Sequence, residues 1–182
     1  MLKKILIIVF IMFNFLNKAH ANYDKLAYDF KFNDINGNEL NFEDYRNKVL
    51  VVVNVASRCG FTNQYKDLQL LWKEYQEKEL VVIGVPTNNF KQEPGTNEQI
   101  KDFCETTFGI TFPITEKVNV LGDNAHPFYK WAKDNYGRSA IPKWNFHKII
   151  INKEGKIANT FSSITKPSSK KFMNFIEQEI KN

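Results

Sequence analysis

The two cysteines of this 182-residue chain, Cys59 and Cys104, are the side chains best suited to chemistry. Cys59 comes shortly after the apolar run Val49–Val55 and just before a predicted helix. Sites form at the carboxyl ends of strands in open α/β sheets, and a helix N-terminus favours a thiolate through its free N–H groups and its dipole. Arg58 adds a positive charge beside it. We therefore expect Cys59 to be a nucleophile, with a small buried apolar residue as the alternative interpretation.

Cys104 lies within a later predicted helix, and its pairing with Cys59 has two interpretations. A sulfenic acid formed on Cys59 would condense with Cys104 to give a disulfide, which would make the pair a peroxidatic and a resolving cysteine. Alternatively, the two residues form a static structural disulfide in an oxidising compartment. The chain has no C-x-x-C motif, which argues against an ordinary thioredoxin or disulfide oxidase.

Three other side chains, Gln92, Trp144 and Asn145, carry hydrogen-bond donors that suit a thiolate. Gln92 lies in a polar loop at positions 87–95, and Trp144 and Asn145 lie in a segment that leads into a predicted strand. Taken singly, each has an ordinary role, as a solvated loop residue, a core aromatic or a turn residue. Grouped around Cys59, their amide and indole N–H groups would stabilise the charged thiol.

Two histidines leave further hypotheses open. A copper site could use the cysteines with His126 or His147, and a Cys–His hydrolase could pair Cys59 with His147. The chain lacks a closely spaced cysteine pair, and no protease signature surrounds Cys59. Both hypotheses are therefore disfavoured.

The elements that position these residues predict an α/β protein. Alternating or β-branched runs predict strands, and apolar residues spaced three or four apart predict helices. In chain order we expect an N-terminal β-hairpin (28–32, with a turn at 35–38), a strand (Val49–Val55), a helix (63–78), a strand (80–85), helices at 96–108 and 127–134, an antiparallel strand pair (Lys148–Ile151 and Ile157–Phe161), and a final helix from about Ser168. This order suits a thioredoxin-like core, with a central mixed sheet flanked by helices.

The first 21 residues predict a cleavable secretory signal peptide. Lys3 and Lys4 precede an apolar stretch, and Ala19-His20-Ala21 has the small-residue pattern of a cleavage site. The stretch is too short to span a bilayer comfortably, so stable membrane insertion is not expected, although an uncleaved anchor is the alternative. Cleavage would leave residues 22–182 as one domain in a compartment that permits disulfides, which we expect to be a bacterial periplasm.

Composition narrows the remaining classes of protein. With 43% hydrophobic and 14% aromatic residues, the chain is neither disordered nor fibrous. Loss of the signal peptide removes three lysines and no acidic residue, so the formal charge of +5 falls by three. No basic footprint for nucleic acid remains after that subtraction.

The chain resembles the glutathione peroxidase family over nearly all of residues 22–182, and four ordered segments carry the resemblance most clearly. They are Val53-Asn54-Val55-Ala56-Ser57-Arg58-Cys59-Gly60-Phe61-Thr62, Gln92-Glu93-Pro94-Gly95 with Asn97-Glu98, Phe112-Pro113-Ile114, and Lys143-Trp144-Asn145-Phe146. Such a set of ordered motifs is highly specific.

The resemblance implies a catalytic tetrad of Cys59, Gln92, Trp144 and Asn145, with Cys59 at the position that is selenocysteine in some members. Cys104 matches the resolving cysteine of the non-selenium branch, whose members usually take electrons from thioredoxin rather than glutathione. The implied activity is reduction of hydrogen peroxide and organic hydroperoxides, recycled by a thioredoxin-like protein or glutathione, with no metal or organic cofactor. The alternative is a peroxide sensor that passes its disulfide to a client protein.

The chain also departs from the family pattern. Phe90-Lys91-Gln92 is one residue shorter than the family's Phe-Gly-x-Gln, and Pro86-Thr87-Asn88-Asn89 lacks the cysteine of the family's Pro-Cys-Asn-Gln. The missing cysteine leaves Cys104 as the intramolecular partner for Cys59. The segment between Trp131 and Trp144 is short, and because a longer insertion there accompanies tetramers, we expect a monomer.

Overall fold

A computed structural model describes residues 23–182, so the predicted signal peptide lies outside the described residues. The strands are β1 (Lys31–Asn33), β2 (Glu39–Asn41), β3 (Val49–Val55), β4 (Leu80–Pro86), β5 (Lys148–Ile151) and β6 (Ile157–Phe161). The helices are α1 (Gln64–Tyr75), α2 (Asn97–Phe108), α3 (Pro127–Tyr136) and α4 (Lys170–Lys181). This is the predicted order of elements, with each helix beginning within one or two residues of its expected start.

The central sheet has the strand order β4-β3-β5-β6. β3 and β4 are parallel and joined through α1, whereas β5 is antiparallel to both β3 and β6. Every residue of β3 and β4 is buried, as their unbroken apolar runs predict for strands covered on both faces. The predicted mixed sheet with an antiparallel edge is confirmed.

The two faces of the sheet carry separate apolar clusters, because successive side chains of a strand point to opposite sides. Val51 and Val53 of β3 face a cluster that includes α1, α4 and the buried side of α2. Leu50 and Val52 face the other cluster, which contains α3 and the N-terminal hairpin. Both cysteines belong to the first cluster.

The N-terminal hairpin is confirmed, but the prediction that its first strand includes Tyr28 is wrong. Ala27–Asp29 is a 3-10 turn, and β1 begins only at Lys31. The Asp29 carboxylate accepts a hydrogen bond from Leu26 N at 2.8 Å, which closes the turn locally. β1 and β2 pair with each other in a two-stranded sheet of their own.

Helix α2 is defined by its caps. Thr96 Oγ1 accepts from Gln99 N at 3.4 Å, and Gln99 Oε1 accepts from Thr96 N at 3.0 Å, so the predicted capping box is present. Gly109 ends the helix in the left-handed conformation, with φ of 59°.

Among residues 23–182, no helix is both long and apolar enough to cross a membrane.

Candidate active site

Cys59 lies in the turn between β3 and α1, the position expected from the sequence. The thiol is buried, and its Sγ accepts a hydrogen bond from Phe61 N at 3.4 Å. Thr62 Oγ1 holds the turn by accepting from Cys59 N at 3.1 Å and donating to Ala56 O at 3.2 Å. The backbone therefore fixes the thiol beside the start of a helix, where N–H groups favour negative charge on sulfur.

The loop that carries Gln92 is hydrogen-bonded to the residues just before Cys59. Arg58 N donates to Gln92 O at 3.0 Å. The Glu93 carboxylate accepts from both Ser57 N at 2.6 Å and Ser57 Oγ at 2.8 Å. Burial raises the pKa of Glu93, and the two Ser57 donors oppose that shift. Glu93 thus anchors one side of the cysteine turn.

The same loop is joined on its other side to the segment that leads into β5. Asn145 Nδ2 donates to Gln92 Oε1 at 3.0 Å. The Trp144 ring packs against Phe90, with ring centroids 5.4 Å apart, and 40% of Trp144 is exposed. The structure therefore brings the loops of three predicted site residues, Gln92, Trp144 and Asn145, up to the cysteine turn.

The side-chain donors of Gln92 and Trp144 remain available. Within residues 23–182, Gln92 Nε2 and Trp144 Nε1 make no hydrogen bond, and no bond joins Gln92, Trp144 or Asn145 to Cys59 Sγ. Amide and indole N–H groups of this kind would stabilise a thiolate or a departing oxygen.

Strained backbone flanks the Gln92–Asn145 pair. Lys91 has φ of 57° and Phe146 has φ of 63°, both in the left-handed region that disfavours residues with a Cβ. Lys91 is in the loop that is one residue shorter than the family pattern, and its N–H donates to Asn88 O at 2.9 Å. The shortened loop thus reaches Asn145 through a tight turn at Lys91 rather than losing the contact.

Asn54 is a positioning residue that the sequence analysis overlooked. It is buried in β3, where its Nδ2 donates to Trp144 O at 3.1 Å and its carbonyl accepts from Phe146 N at 2.6 Å. Asn54 thereby holds the segment that contains Asn145. The signal was present, because a single amide inside an apolar strand needs hydrogen-bond partners to be buried.

Cys104 is fully buried in the middle of α2. Burial, with smaller contributions from the Glu93 and Glu105 carboxylates, raises the pKa of its thiol to about 11, although Tyr65 acts in the opposite direction. Both cysteines are free thiols. They belong to the same apolar cluster, and Cys104 is held there by α2.

The histidines have other surroundings. His126 Nδ1 accepts from Phe128 N at 3.3 Å at the start of α3, and its ring stacks on Phe32. Burial lowers the pKa of His147 to about 4. In the part of the chain that the structure describes, no group of three or more His, Cys, Asp or Glu side chains is arranged to hold a metal. Neither the copper hypothesis nor the hydrolase hypothesis gains support.

The family model described as glutathione peroxidase matches residues 27–133. The chain belongs to the glutathione peroxidase family. The resemblance inferred from the four sequence segments is therefore confirmed, and the matched range includes Cys59, Gln92 and Cys104.

Relatives within the glutathione peroxidase family cover most of the chain. Glutathione peroxidase-like peroxiredoxin 2 of Saccharomyces cerevisiae is 45% identical over 160 residues, covering 85% of this chain and 94% of the relative. Hydroperoxy fatty acid reductase of Synechocystis sp. is 42% identical over 156 residues, covering 81% of this chain and 92% of the relative.

Solved structures agree on the fold. The crystal structure of Trgpx in apo form has a TM-score of 0.69 at 36% identity, covering 87% of this chain and 97% of that chain. A thioredoxin-family thiol:disulfide interchange protein from Chlorobium tepidum TLS has a TM-score of 0.64 at 13% identity, covering 83% and 92%. The second likeness concerns the fold alone. The predicted thioredoxin-like fold is confirmed.

Proposed function

We propose that this protein is a thiol-dependent peroxidase in which Cys59 reduces hydroperoxides and Cys104 resolves the product. The observation that carries the proposal is the hydrogen-bonded Gln92–Glu93 loop. It is joined to Ser57 and Arg58 beside Cys59 on one side and to Asn145 on the other. This arrangement supports a catalytic role for Cys59, Gln92, Trp144 and Asn145.

In the first step, the Cys59 thiolate attacks the terminal oxygen of the hydroperoxide. An S–O bond forms, the O–O bond breaks, and the departing oxygen takes a proton and leaves as water or an alcohol. Free N–H donors on Gln92 and Trp144 stabilise the charge that develops on that oxygen. Cys59 ends the step as a sulfenic acid.

In the second step, Cys104 attacks the sulfenic sulfur, forming a disulfide and releasing water. Because Cys104 is buried inside α2, this step requires local unwinding or movement of that helix. A dithiol reductant then restores both thiols by thiol–disulfide exchange. The match of Cys104 to the resolving cysteine of the family's non-selenium branch supports a thioredoxin-like protein in preference to glutathione as the donor.

A steady-state peroxidase assay tests the proposal. Residues 22–182 are supplied with hydrogen peroxide and either thioredoxin, thioredoxin reductase and NADPH or glutathione, glutathione reductase and NADPH. We expect NADPH oxidation with the thioredoxin system, and none above background for Cys59→Ser. Multiple turnovers that persist in Cys59→Ser would refute the assignment of the nucleophile.

The same assay separates the enzyme from the sensor. A sensor would form the Cys59–Cys104 disulfide after one equivalent of peroxide but would not consume further peroxide with a general reductant. We expect continued consumption.

We include organic and lipid hydroperoxides among the substrates. Trp144 at the site is 40% exposed, and the Synechocystis relative is named a hydroperoxy fatty acid reductase. A strict preference for hydrogen peroxide over cumene or fatty-acid hydroperoxides, seen as a much higher kcat/KM, would contradict this part of the proposal.

We also propose that the protein is exported, with cleavage after Ala21, and that it acts as a monomer. The signal-like pattern of the N-terminus supports export, and the short segment between Trp131 and Trp144 supports a monomer. An exported enzyme needs a donor of thioredoxin type in its own compartment. N-terminal sequencing of the protein expressed in full tests the cleavage, and light scattering coupled to size-exclusion chromatography tests the monomer.

A further inference from the structure

Tyr65, in the first turn of α1, is a fully buried tyrosine whose hydroxyl has no hydrogen-bond partner among the described residues. Its ring is held edge-on to Phe146 and tilted against Phe108, each with centroids 5.3 Å apart. A buried hydroxyl without a partner is costly, and a phenylalanine would fill the same apolar space. Packing therefore explains the aromatic ring of Tyr65 but not its hydroxyl group.

The groups around this hydroxyl are those of the reaction. Tyr65 lies at the start of α1, just after the Cys59 turn, and it shares one apolar cluster with both cysteines. Its ring packs on Phe108, one helical turn after Cys104 in α2. Burial and the cysteines of this cluster raise the pKa of Tyr65 well above its usual value, so the phenol keeps its proton at neutral pH. An interaction with Tyr65 that falls short of hydrogen-bond geometry lowers the pKa of the Cys104 thiol, against the larger effect of burial. Tyr65 is thus a neutral donor in the apolar cluster that holds both of the sulfur atoms that must become bonded.

We propose that the Tyr65 hydroxyl carries the proton of the resolution step, taking it from the Cys104 thiol as its own proton passes to the oxygen that leaves Cys59. This inference rests on the function proposed above, and it assigns a further catalytic residue to that reaction.

The step balances without another reactant. The Cys104 sulfur forms a bond to the Cys59 sulfur, the Cys59 S–O bond breaks, and the oxygen leaves as water. Cys104 is oxidised from thiol to disulfide as the Cys59 sulfenic acid is reduced to disulfide. Tyr65 is neutral before and after, because it accepts one proton and gives one. A thiol that titrates near pH 11 could then react at neutral pH without first losing its proton to solvent.

The test follows the two steps separately in Tyr65→Phe. After one equivalent of hydrogen peroxide, sulfenic acid is trapped with dimedone and the Cys59–Cys104 disulfide is measured by mass spectrometry over time and pH. We expect sulfenic acid to form at the wild-type rate and the disulfide to form at least about tenfold more slowly at pH 7. The disulfide rate of Tyr65→Phe should also rise about tenfold per pH unit, since only preformed thiolate reacts, whereas the wild-type rate should change little.

Tyr129→Phe is the matched control. Tyr129 is also a buried tyrosine with an unpartnered hydroxyl, but it lies in α3 in the other apolar cluster. In Tyr129→Phe, the Cys59–Cys104 disulfide should form at the wild-type rate. If the disulfide forms in Tyr65→Phe at the wild-type rate, or if it forms equally slowly in both variants, the role of Tyr65 is refuted. The proposed roles of Cys59 and Cys104 would not be affected by that result. Failure of the wild type itself to form the Cys59–Cys104 disulfide would instead refute the proposed resolving role of Cys104, and this inference with it.

Discussion

The two thiols of this protein occupy opposite kinds of environment. Cys59 lies in a turn whose backbone donates to its sulfur, with the Gln92 loop hydrogen-bonded alongside. Cys104 lies inside a capped helix, where the pKa of its thiol is raised to about 11. Under the function proposed above, Cys59 is arranged for its reaction in the resting fold, and Cys104 is held away from reaction until the helix around it changes.

The difference suggests a division of labour between rigid and mobile parts of the fold. Peroxide reduction needs donors placed in advance, because preorganised N–H groups stabilise developing charge at no cost of rearrangement. In the proposed cycle, resolution by Cys104 comes second, because it requires a sulfenic acid on Cys59. Cys104 lies in a short helix, and a helix of this length can open locally while the sheet stays intact, which would expose the thiol for the proposed second step.

The largest expected effect comes from removing each thiol in turn. Cys59→Ser should lower peroxide turnover at least about 10³-fold, because it removes the nucleophile. Cys104→Ser should keep the first reduction of peroxide at the wild-type rate, yet accumulate sulfenic acid and stop turning over with thioredoxin. Stopped-flow consumption of one peroxide equivalent and dimedone labelling measure both results. Full thioredoxin-dependent turnover by Cys104→Ser would refute the contrast between a reactive Cys59 and a resolving Cys104, because Cys104 would then have no part in the cycle.

The next effect is the pH dependence of the reactivity of Cys104 and of the stability of the fold. Both are best measured in Cys59→Ser, where Cys104 is the remaining cysteine. Because burial raises its pKa, the rate of alkylation by iodoacetamide should increase about tenfold per pH unit from pH 7 upward, and continue to increase beyond pH 9. Stability should fall as pH rises from about 9 to about 11, since the unfolded thiol loses its proton there and the folded thiol keeps it.

Peptide mass spectrometry measures the alkylation, and urea unfolding measures the stability. Cys59→Ser/Cys104→Ser is the control for the second measurement, because it should lack the part of the pH slope that Cys104 supplies. An alkylation rate that levels off near pH 9 would show that the helix does not shield Cys104.

A smaller effect is expected at Glu93, which ties the Gln92 loop to the cysteine turn. Glu93→Ala removes the acceptor for Ser57 N and Oγ and should lower the free energy of unfolding by about 2 kcal/mol. Displacement of the turn should slow oxidation of Cys59 about tenfold. Glu93→Gln keeps an acceptor oxygen, so its free energy of unfolding and its rate of Cys59 oxidation should lie between those of Glu93→Ala and the wild type.

Glu77→Ala is the matched control for this prediction, because Glu77 is exposed in the segment after α1. The free energy of urea unfolding and the single-turnover rate of Cys59 oxidation should be the same in Glu77→Ala as in the wild type. If Glu93→Ala oxidises Cys59 at the wild-type rate, the Gln92–Glu93 loop does not position the thiol.

Local patterns in the sequence were enough to predict most of this fold. Continuous β-branched runs predicted β3 and β4, and the Thr96–Gln99 pair predicted the start of α2. The error at Tyr28 arose because alternating aromatic residues suggest a strand, whereas the side chain of Asp29 closes a turn instead. A side chain that binds nearby backbone competes with strand pairing, and alternation alone does not reveal which one wins.

The candidate site was predictable only where the chemistry was visible in a motif. Cys59, Gln92 and Asn145 were named from their segments, and the structure joins the loops that carry them. Tyr65 was not, because in sequence it is one more apolar position of an amphipathic helix. Its importance depends on a hydroxyl without a partner in the apolar cluster that also holds a cysteine from another helix, which only the three-dimensional packing reveals.

The smallest predicted effect tests whether opening of α2 controls the second thiol. Thr96→Ala removes the side chain that caps α2 and should weaken the helix by about 1 kcal/mol. If Cys104 reacts from a locally opened helix, the open population rises about fivefold, and the disulfide should form faster by the same factor. Oxidation of Cys59 should not change, because Thr96 lies outside the turn that holds that thiol. Hydrogen exchange of α2 amides measures the opening, and Ser169→Ala, which uncaps α4 in the same way, is the control. Faster exchange in α2 without faster disulfide formation would mean that the helix does not gate Cys104.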